Sequence, residues 1–329
     1  MDRNKYIYRV GKSRPIFVAA SGRRIARANL PAHLAHLAVP PAWTDVELVT
    51  NPRAKIWATG HDEAGRKQYI YNPTFRAKRE AEKFDRIILF AEQLSPLRVT
   101  TRRHLALEDL CRERVLACMV RLLDRAYFRV GNREYACENK TYGLTTLRSR
   151  HLKIRGDSII FEFIGKHDVE QKHVVADKKL AEILRELSEV PGYHIFSYFT
   201  KAGDKVDVAS EHLNEYIREL IGEEFSAKDF RTWAGTLIAA TTLADKSEPE
   251  DEKARAHNIV LAVEQVASKL GNTPAVARSS YIDPRVFEFY GENVTIGAFM
   301  RKNVRAHERL LKRELNLKEL ALWRMLKSA

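Results

Sequence analysis

Four widely separated segments carry side chains whose types suit work on an anionic substrate. Arg129 sits in "YFRVGN", directly after a long helical pattern. Lys166 lies in "FIGKHDV", at the tip of a hairpin pattern. Arg231 falls in "FSAKDFRTWAGT", where Ser226 and Asp229 have capping-box spacing and place the arginine near a helix start. The fourth segment is "KLGNTPAVARSSYIDP". In it Thr273 is a good N-cap, Pro274 suits the first helical turn, Asn272 precedes the helix, and Tyr281 follows about two turns on. Guanidinium groups are planar, permanently charged donors to anionic oxygens. Ammonium and phenol groups exchange protons. Singly, each residue has a plainer reading: an ion-paired surface arginine, a solvated lysine, a half-buried tyrosine. The order of the set carries the information.

The elements around these segments divide the chain. "KYIYRV" and "RPIFVAA" are short β-type runs, and "NPRAKIWATG", "HDEAG" and "RKQYIYNP" read as strand, turn and strand. Period-two alternation puts Lys67, Tyr69 and Tyr71 on one face of the second strand and Gln68 and Ile70 on the other. A positive charge beside two rings suits a nucleic-acid groove, although a hairpin that packs its tyrosines on its own core has the same pattern. From about residue 74 the texture turns helical. "TFRAKREAEKFDRIILFAEQL" predicts a helix ending before Pro96, and "ALEDLCRERVLACMVRLLDRAYF" a long amphipathic one. "DSIIFEFIGKHDVEQKHVVAD" predicts a second hairpin turning at "GKHD". "ADKSEPEDEKARAH" reads as an acidic loop, and Val304 to Lys327 as one basic helix. The expected architecture is α+β: a small β-rich N-terminal domain over residues 1–82 and a mainly α-helical domain over 83–329.

The 329 residues carry a formal net charge of +13. Residues 1–84 hold 16 Lys and Arg against 7 Asp and Glu, a net of +9, so most of the excess lies in the first quarter. Such a balance favours an acidic partner, nucleic acid first. The three cysteines form no CxxC pair, which suits a reducing compartment. His33 and His36 are three apart with no third ligand suggested, and no HExxH, Walker A or GxGxxG motif appears. A metal, ATP or dinucleotide therefore has no obvious seat, and no cofactor is expected. No apolar run of membrane-spanning length and no secretory signal is seen, so a cytoplasmic protein is expected.

The set of segments resembles the type IB DNA topoisomerases, in the short form found in poxviruses and bacteria. The resemblance lies in "AVPPAWTDVEL" and "ATGHDEAGRKQYIYNP", then in "FRVGNREYACENKTYGLTTLRSRHL", "FIGKHDV", "KDFRTWAGT" and "VASKLGNTPAVARSSYIDP". It covers nearly the whole chain. It implies that the two domains close around duplex DNA as a clamp, and that one strand is cut, swivels and is resealed without metal or ATP. Tyr281 then matches the nucleophile that forms a 3′-phosphotyrosyl link. Arg129 and Arg231 match the pair holding the non-bridging oxygens, and Lys166 the general acid for the 5′-oxygen. Asn272 stands where many members carry histidine. Gln68, Tyr69 and Tyr71, beside Lys67, match the DNA-contacting segment of the N-terminal domain. A monomer is expected, nucleoid-associated if bacterial.

The residue types agree with that chemistry. Attack on a phosphodiester adds negative charge to its equatorial oxygens, which pre-set guanidinium donors stabilise. Two nearby arginines favour the tyrosine phenolate. A neutral asparagine can donate a hydrogen bond but cannot act as an acid. A tyrosine recombinase would use the same nucleophile and arginine pair, but it usually carries H-x-x-R where this chain has "KDFR" around Lys228. A non-catalytic DNA-binding protein would form no covalent adduct, and a metal-dependent nuclease would fail in EDTA.

Overall fold

The computed structural model describes residues 5–11, 14–246, 248–300 and 308–329. The chain divides into two compact units, Met1–Lys83 and Phe84–Ala329.

The first unit is built on a six-stranded sheet in the order β3-β2-β1-β4-β5-β6. Its strands are β1 (Tyr6–Val10), β2 (Ile16–Ala19), β3 (Arg24–Ile25), β4 (Thr44–Val49), β5 (Ile56–His61) and β6 (Lys67–Tyr71), with the one-turn helix α1 (Ala32–Ala35) between β3 and β4. All neighbours pair antiparallel. Alternation sends Ile7, Val46, Leu48 and Ala58 into a small core shared with Leu30 and Leu34. Arg9 fixes the proline-rich loop before β4: its guanidinium donates to the carbonyls of Val39 (3.2 Å), Pro40 (3.0 Å) and Trp43 (2.6 Å). The β5–β6 turn is held by Asp62, whose Oδ1 accepts the N–H groups of Ala64 and Arg66, both at 3.0 Å. Gly65 supplies the positive φ of +74° that this turn needs.

Helix α2 (Pro73–Leu105) begins in the first unit and ends in the second. It does not stop at Pro96, as the sequence suggests, but runs through it. A mid-helix proline costs about 3 kcal/mol. Leu94, Leu97 and Leu105 flank it fully buried, and each such side chain contributes about 1.5–3 kcal/mol, enough together to carry the helix across.

The second unit surrounds α3 (Arg112–Ala126), whose residues Val115 to Met119 are completely buried. Around it lie α4 (Arg133–Glu138) and the antiparallel sheet of β7 (Leu152–Arg155), β8 (Ser158–Ile164) and β9 (Glu170–Ala176). Next come α5 (Lys178–Glu189), the short pair β10 (Ser197–Phe199) and β11 (Lys205–Asp207), and α6 (Ser210–Ile221). The chain continues through α7 (Ala227–Ala244), α8 (Glu252–Leu270), α9 (Pro274–Tyr281) and α10 (Arg285–Gly291) to α11 (Arg309–Lys312) and α12 (Leu317–Lys327). Two further sequence expectations need correction. Part of the acidic "loop" is helix: Asp251 caps α8 by accepting the Ala254 N–H at 2.6 Å. The C-terminal run is not one helix, because Asn316 and Glu319 form a reciprocal capping box (3.0 and 2.9 Å) that starts α12 afresh. Residues 304–307 of that run lie outside the described residues. The apolar face of α12 packs into the main core, with Leu320, Leu322 and Leu326 buried. No helix among the described residues is long and apolar enough to cross a membrane.

Candidate active site

The site forms where the end of α3, the β8–β9 turn, α7 and the α8–α9 corner meet, all within the second unit. Helix α3 terminates at Tyr127, which takes the left-handed conformation (φ +60°) and turns the chain out of the helix. Phe128 is then buried against Phe161 and the His173 ring, 5.1 and 4.2 Å between centroids. Arg129 follows. Its main chain is clamped from the other side, where Leu144 N–H donates to the Arg129 carbonyl at 2.8 Å and Thr145 N–H to that of Val130 at 2.7 Å. Gly131 and Gly143 allow this closeness: a Cβ on Gly143 would sit 2.6 Å from the Gly131 backbone.

Arg231 stands in the second turn of α7, whose start is set by the Ser226–Asp229 pair. Asp229 Oδ2 accepts the Ser226 N–H at 2.9 Å, and Asp229 Oδ1 accepts from Arg86 at 2.8 Å. The Arg231 side chain is only 4% exposed. Its guanidinium donates to the carbonyls of Tyr127 (2.5 Å) and Leu270 (2.8 Å). It thereby ties the ends of α3 and α8 together. Arg129 in turn donates to the carbonyl of Gly271 at 2.6 Å and to Oδ1 of Asn272.

Helix α9 places the tyrosine. Thr273 caps it, Pro274 occupies its first position, and Tyr281 is its last residue. The Tyr281 ring lies 4.9 Å from the Arg231 guanidinium carbon. Gly235, one turn after Arg231, makes this possible, since a Cβ there would stand 2.5 Å from the Tyr281 carbonyl oxygen. The Thr236 hydroxyl lies 3.3 Å from the same oxygen and accepts the Asp283 N–H at 3.1 Å. Asp283, fully buried, forks with Arg285 at 2.7 Å, and Arg285 also holds the Phe84 carbonyl at 2.8 Å. The chain is therefore pinned at the tyrosine's carbonyl and just after it.

The electrostatics of the site favour negative charge. Burial, reinforced by the Arg231 charge, lowers the Arg129 guanidinium to about 10. Arg231 is likewise lowered by burial. Neither meets a carboxylate; their partners are carbonyls, one amide oxygen and, for Arg231, the Tyr281 side chain. Among the described residues, Arg231 Nε and Asn272 Nδ2 are buried donors with no hydrogen-bond partner. Burial alone would raise the Tyr281 phenol, but Arg231, by charge and contact, then Lys228 and Arg129 pull it below its ordinary value. His173 is pushed down to about 4, by burial and then by the Arg231 charge, so its ring stays neutral beside the arginines.

A groove of about 450 Å³ opens over this arrangement and is lined by Arg129, Lys166, Asn272 and Tyr281. Four of the five candidate catalytic residues thus share one groove, and Arg231 lies beneath it against the tyrosine ring. Lys166 is exposed in the tight turn Lys166–Asp168. Among the described residues no group of three or more His, Cys, Asp or Glu is disposed to hold a metal ion. In the first unit Lys67, Tyr69 and Tyr71 are exposed on one face of β6, with Gln68 half-buried opposite and donating to Asp62 at 2.9 Å. The tyrosine rings lie 6.2 Å apart and do not enter that unit's core. Gln171, His173, Gly235 and Thr236 were not anticipated. The alternation of β9 puts Gln171 and His173 on one face and is the signal that would have found them.

Residues 72–303 match the family model of the eukaryotic DNA topoisomerase I catalytic core, and residues 16–62 match that of the bacterial DNA topoisomerase IB N-terminal domain. The chain belongs to the type IB DNA topoisomerase family. Among its relatives, DNA topoisomerase 1B of Acanthamoeba polyphaga mimivirus is 32% identical over 264 residues, 78% of this chain and 79% of that protein. DNA topoisomerase 1B of vaccinia virus (strain Copenhagen) is 23% identical over 263 residues, 78% and 80% of the two chains. DNA topoisomerase 1 of Mycosarcoma maydis matches over 110 residues at 28% identity, 32% of this chain and 11% of that one. The topoisomerase thus pairs a short-form N-terminal domain with a catalytic core whose type extends to the larger eukaryotic enzymes.

Proposed function

We propose that Tyr281 is the nucleophile of this topoisomerase and that Arg129, Arg231, Asn272 and Lys166 complete its site. The enzyme relaxes supercoiled duplex DNA by transient cleavage of one strand, swivelling and religation. In the cleavage step the Tyr281 oxygen attacks a backbone phosphorus. The bond from phosphorus to the 5′-oxygen breaks, and Lys166 gives that oxygen a proton. The products are a 3′-phosphotyrosyl link and a free 5′-hydroxyl. Religation is the reverse, and a phenoxide is a good enough leaving group for the step to run without ATP. Arg129 and Arg231 hold the non-bridging oxygens, whose charge rises in the transition state. Asn272 Nδ2 adds one neutral donor. On β6, Lys67, Gln68, Tyr69 and Tyr71 contact the duplex through phosphate and sugar–base surfaces. The enzyme works as a monomer and needs no metal.

The observation that carries this reading is the Tyr281 ring held 4.9 Å from the buried Arg231 guanidinium, with the phenol shifted toward its anion. The test is relaxation of negatively supercoiled plasmid in EDTA without ATP, beside Tyr281→Phe. Relaxation by the parent, none by the variant, and a denaturant-stable protein–DNA adduct formed only by the parent are expected. An adduct formed by the variant would move the nucleophile elsewhere.

A further inference from the structure

Two glycines in the active site immediately precede residues assigned to catalysis, and both pack on one side chain. Gly165 precedes Lys166, and a Cβ there would lie 2.8 Å from Gln171 Cγ. Gly271 precedes Asn272, and a Cβ there would lie 2.4 Å from Gln171 Oε1 and 2.5 Å from its Nε2. Gln171 pairs with Phe163 in the β8–β9 ladder, so its Cα is fixed by the sheet. Its side chain spans from the turn carrying Lys166 to the α8–α9 corner carrying Asn272, and it lines the same groove as both. Gly271 is left-handed (φ +59°), which already requires glycine. Gly165 is not (φ −94°), so the close approach of Gln171 is what a side chain there would disturb.

We propose that Gln171 is a positioning residue, a strut that sets the distance between Lys166 and the Asn272–Tyr281 corner. The turn it supports is otherwise exposed, and its tip is closed by a Gly165 N–H to Val169 carbonyl bond of 2.8 Å. An exposed lysine on such a turn has many positions available. A flexible acid contributes little unless it is held near the oxygen it protonates. The contact is made by the methylenes on the Gly165 side and by the flat carboxamide on the Gly271 side. The one hydrogen bond of the carboxamide among the described residues, from Nε2 to the Glu170 carbonyl at 3.3 Å, stays on β9, so shape rather than a hydrogen bond to either glycine does the positioning.

The inference rests on Lys166 being the general acid, and the test separates the two claims. Single-turnover cleavage is measured on a duplex with the natural 5′-oxygen at the cut site and on one with 5′-sulfur. A thiolate leaves without a proton, because thiols ionise near pH 8.5 whereas alcohols do not. With Gln171→Ala, cleavage of the oxygen duplex is expected to fall by up to about a hundredfold, the order of loss that an ångström-scale misplacement causes. Cleavage of the sulfur duplex should fall by less than about threefold. Gln171→Met, of similar length but unable to hydrogen-bond, should restore most of the rate. Lys166→Ala serves as the reference and should show the same selective loss. Equal losses on both duplexes for Gln171→Ala, with Lys166→Ala still selective, would overturn the strut. So would an unchanged rate on the oxygen duplex, or failure of Gln171→Met with its thermal stability intact. Equal losses for Lys166→Ala would instead overturn the assignment of the acid.

Discussion

Two groups of arginines in the second unit, buried or half-buried, behave in opposite ways. In the first, Arg98 forks Asp124 at 2.8 Å and Glu319 at 2.7 Å, and against the cost of its burial these carboxylates push its pKa up. Arg114 with Glu186 and Arg324 with Glu308 repeat the arrangement. In the second, Arg129 and Arg231 meet no carboxylate, only carbonyl and amide oxygens and, for Arg231, the Tyr281 side chain, and burial makes their pKa values fall. The same side chain thus serves two ends. Paired with carboxylate, a buried guanidinium is a structural tie. Paired with neutral dipoles, it keeps its charge uncompensated, as the proposed hold on a phosphodiester requires. A phosphodiester has the charge and the oxygen geometry that such a pair lacks.

The comparison is broken most sharply by treating one arginine from each group alike. Arg231→Met should lower cleavage by about a hundredfold to a thousandfold, the usual loss on removing one pre-set donor, while thermal stability falls only by the loss of its carbonyl hydrogen bonds, about 1–3 kcal/mol, since no carboxylate is stranded. Arg98→Met should do the reverse. It strands two carboxylates together and should cost about 3–5 kcal/mol in stability, with the cleavage rate of the folded fraction kept. Chemical denaturation and single-turnover cleavage of both variants decide it. An Arg231→Met protein that unfolds readily would make that arginine structural too.

The same contrast fixes a pH dependence. Tyr281 is lowered from its ordinary value near 10 because the Arg231, Lys228 and Arg129 charges outweigh its burial. In the proposed cleavage step the phenolate is the reactive form, so the cleavage rate should rise with pH and level off at an inflection below 10. In Arg231→Met the inflection should move upward, since burial remains and the largest opposing charge is lost. An inflection that stays in place would show that another group controls the profile.

Parts of this arrangement were legible in the sequence and parts were not, for physical reasons. Thr273–Pro274 before α9, and Ser226 with Asp229 before α7, are local capping signals, and both helices start where those signals stand. The hairpin below Lys166 follows from its alternation. What the sequence hid was long-range. Pro96 reads as a stop because its cost is local, whereas the leucines that offset it are buried by segments distant in the chain. The break at Asn316 was masked by leucines at helical spacing on both sides. Gly235 is an unremarkable helix residue until the Tyr281 backbone lies against it. Gln171 and His173 carry no motif, and only their shared face on β9 ties them to the groove.

Asn272 sharpens the comparison at a smaller scale, because it is the neutral member of the proposed oxygen-binding set. Its Oδ1 is taken by Arg129, which leaves Nδ2 as the free donor. If one hydrogen bond is its whole task, Asn272→His should retain activity to within about a hundredfold, or roughly 2.7 kcal/mol. Asn272→Ala should lose more than the histidine variant. Relaxation time courses for both variants test it, and a greater loss with histidine would mean that the amide also fixes Arg129.

The mildest prediction concerns the first unit, where cations and rings lie at the surface. Lys67, Tyr69 and Tyr71 share the exposed face of β6, with no ion pair to Lys67 among the described residues. A lysine facing a phosphate releases counterions on binding, so its removal should reduce the steepness of the salt dependence by about one unit of log–log slope. Lys67→Ala should therefore weaken DNA binding at low salt more than at high salt and leave cleavage by the bound enzyme unchanged. Tyr69→Ala should weaken binding about equally at every salt concentration, since stacking of a ring on a nucleotide involves no counterion. Binding isotherms on a non-cleavable duplex over a series of salt concentrations separate the two. A Lys67→Ala protein with the parent's slope would remove this face from the DNA contact. A Tyr281→Phe background would show whether contact and chemistry are independent.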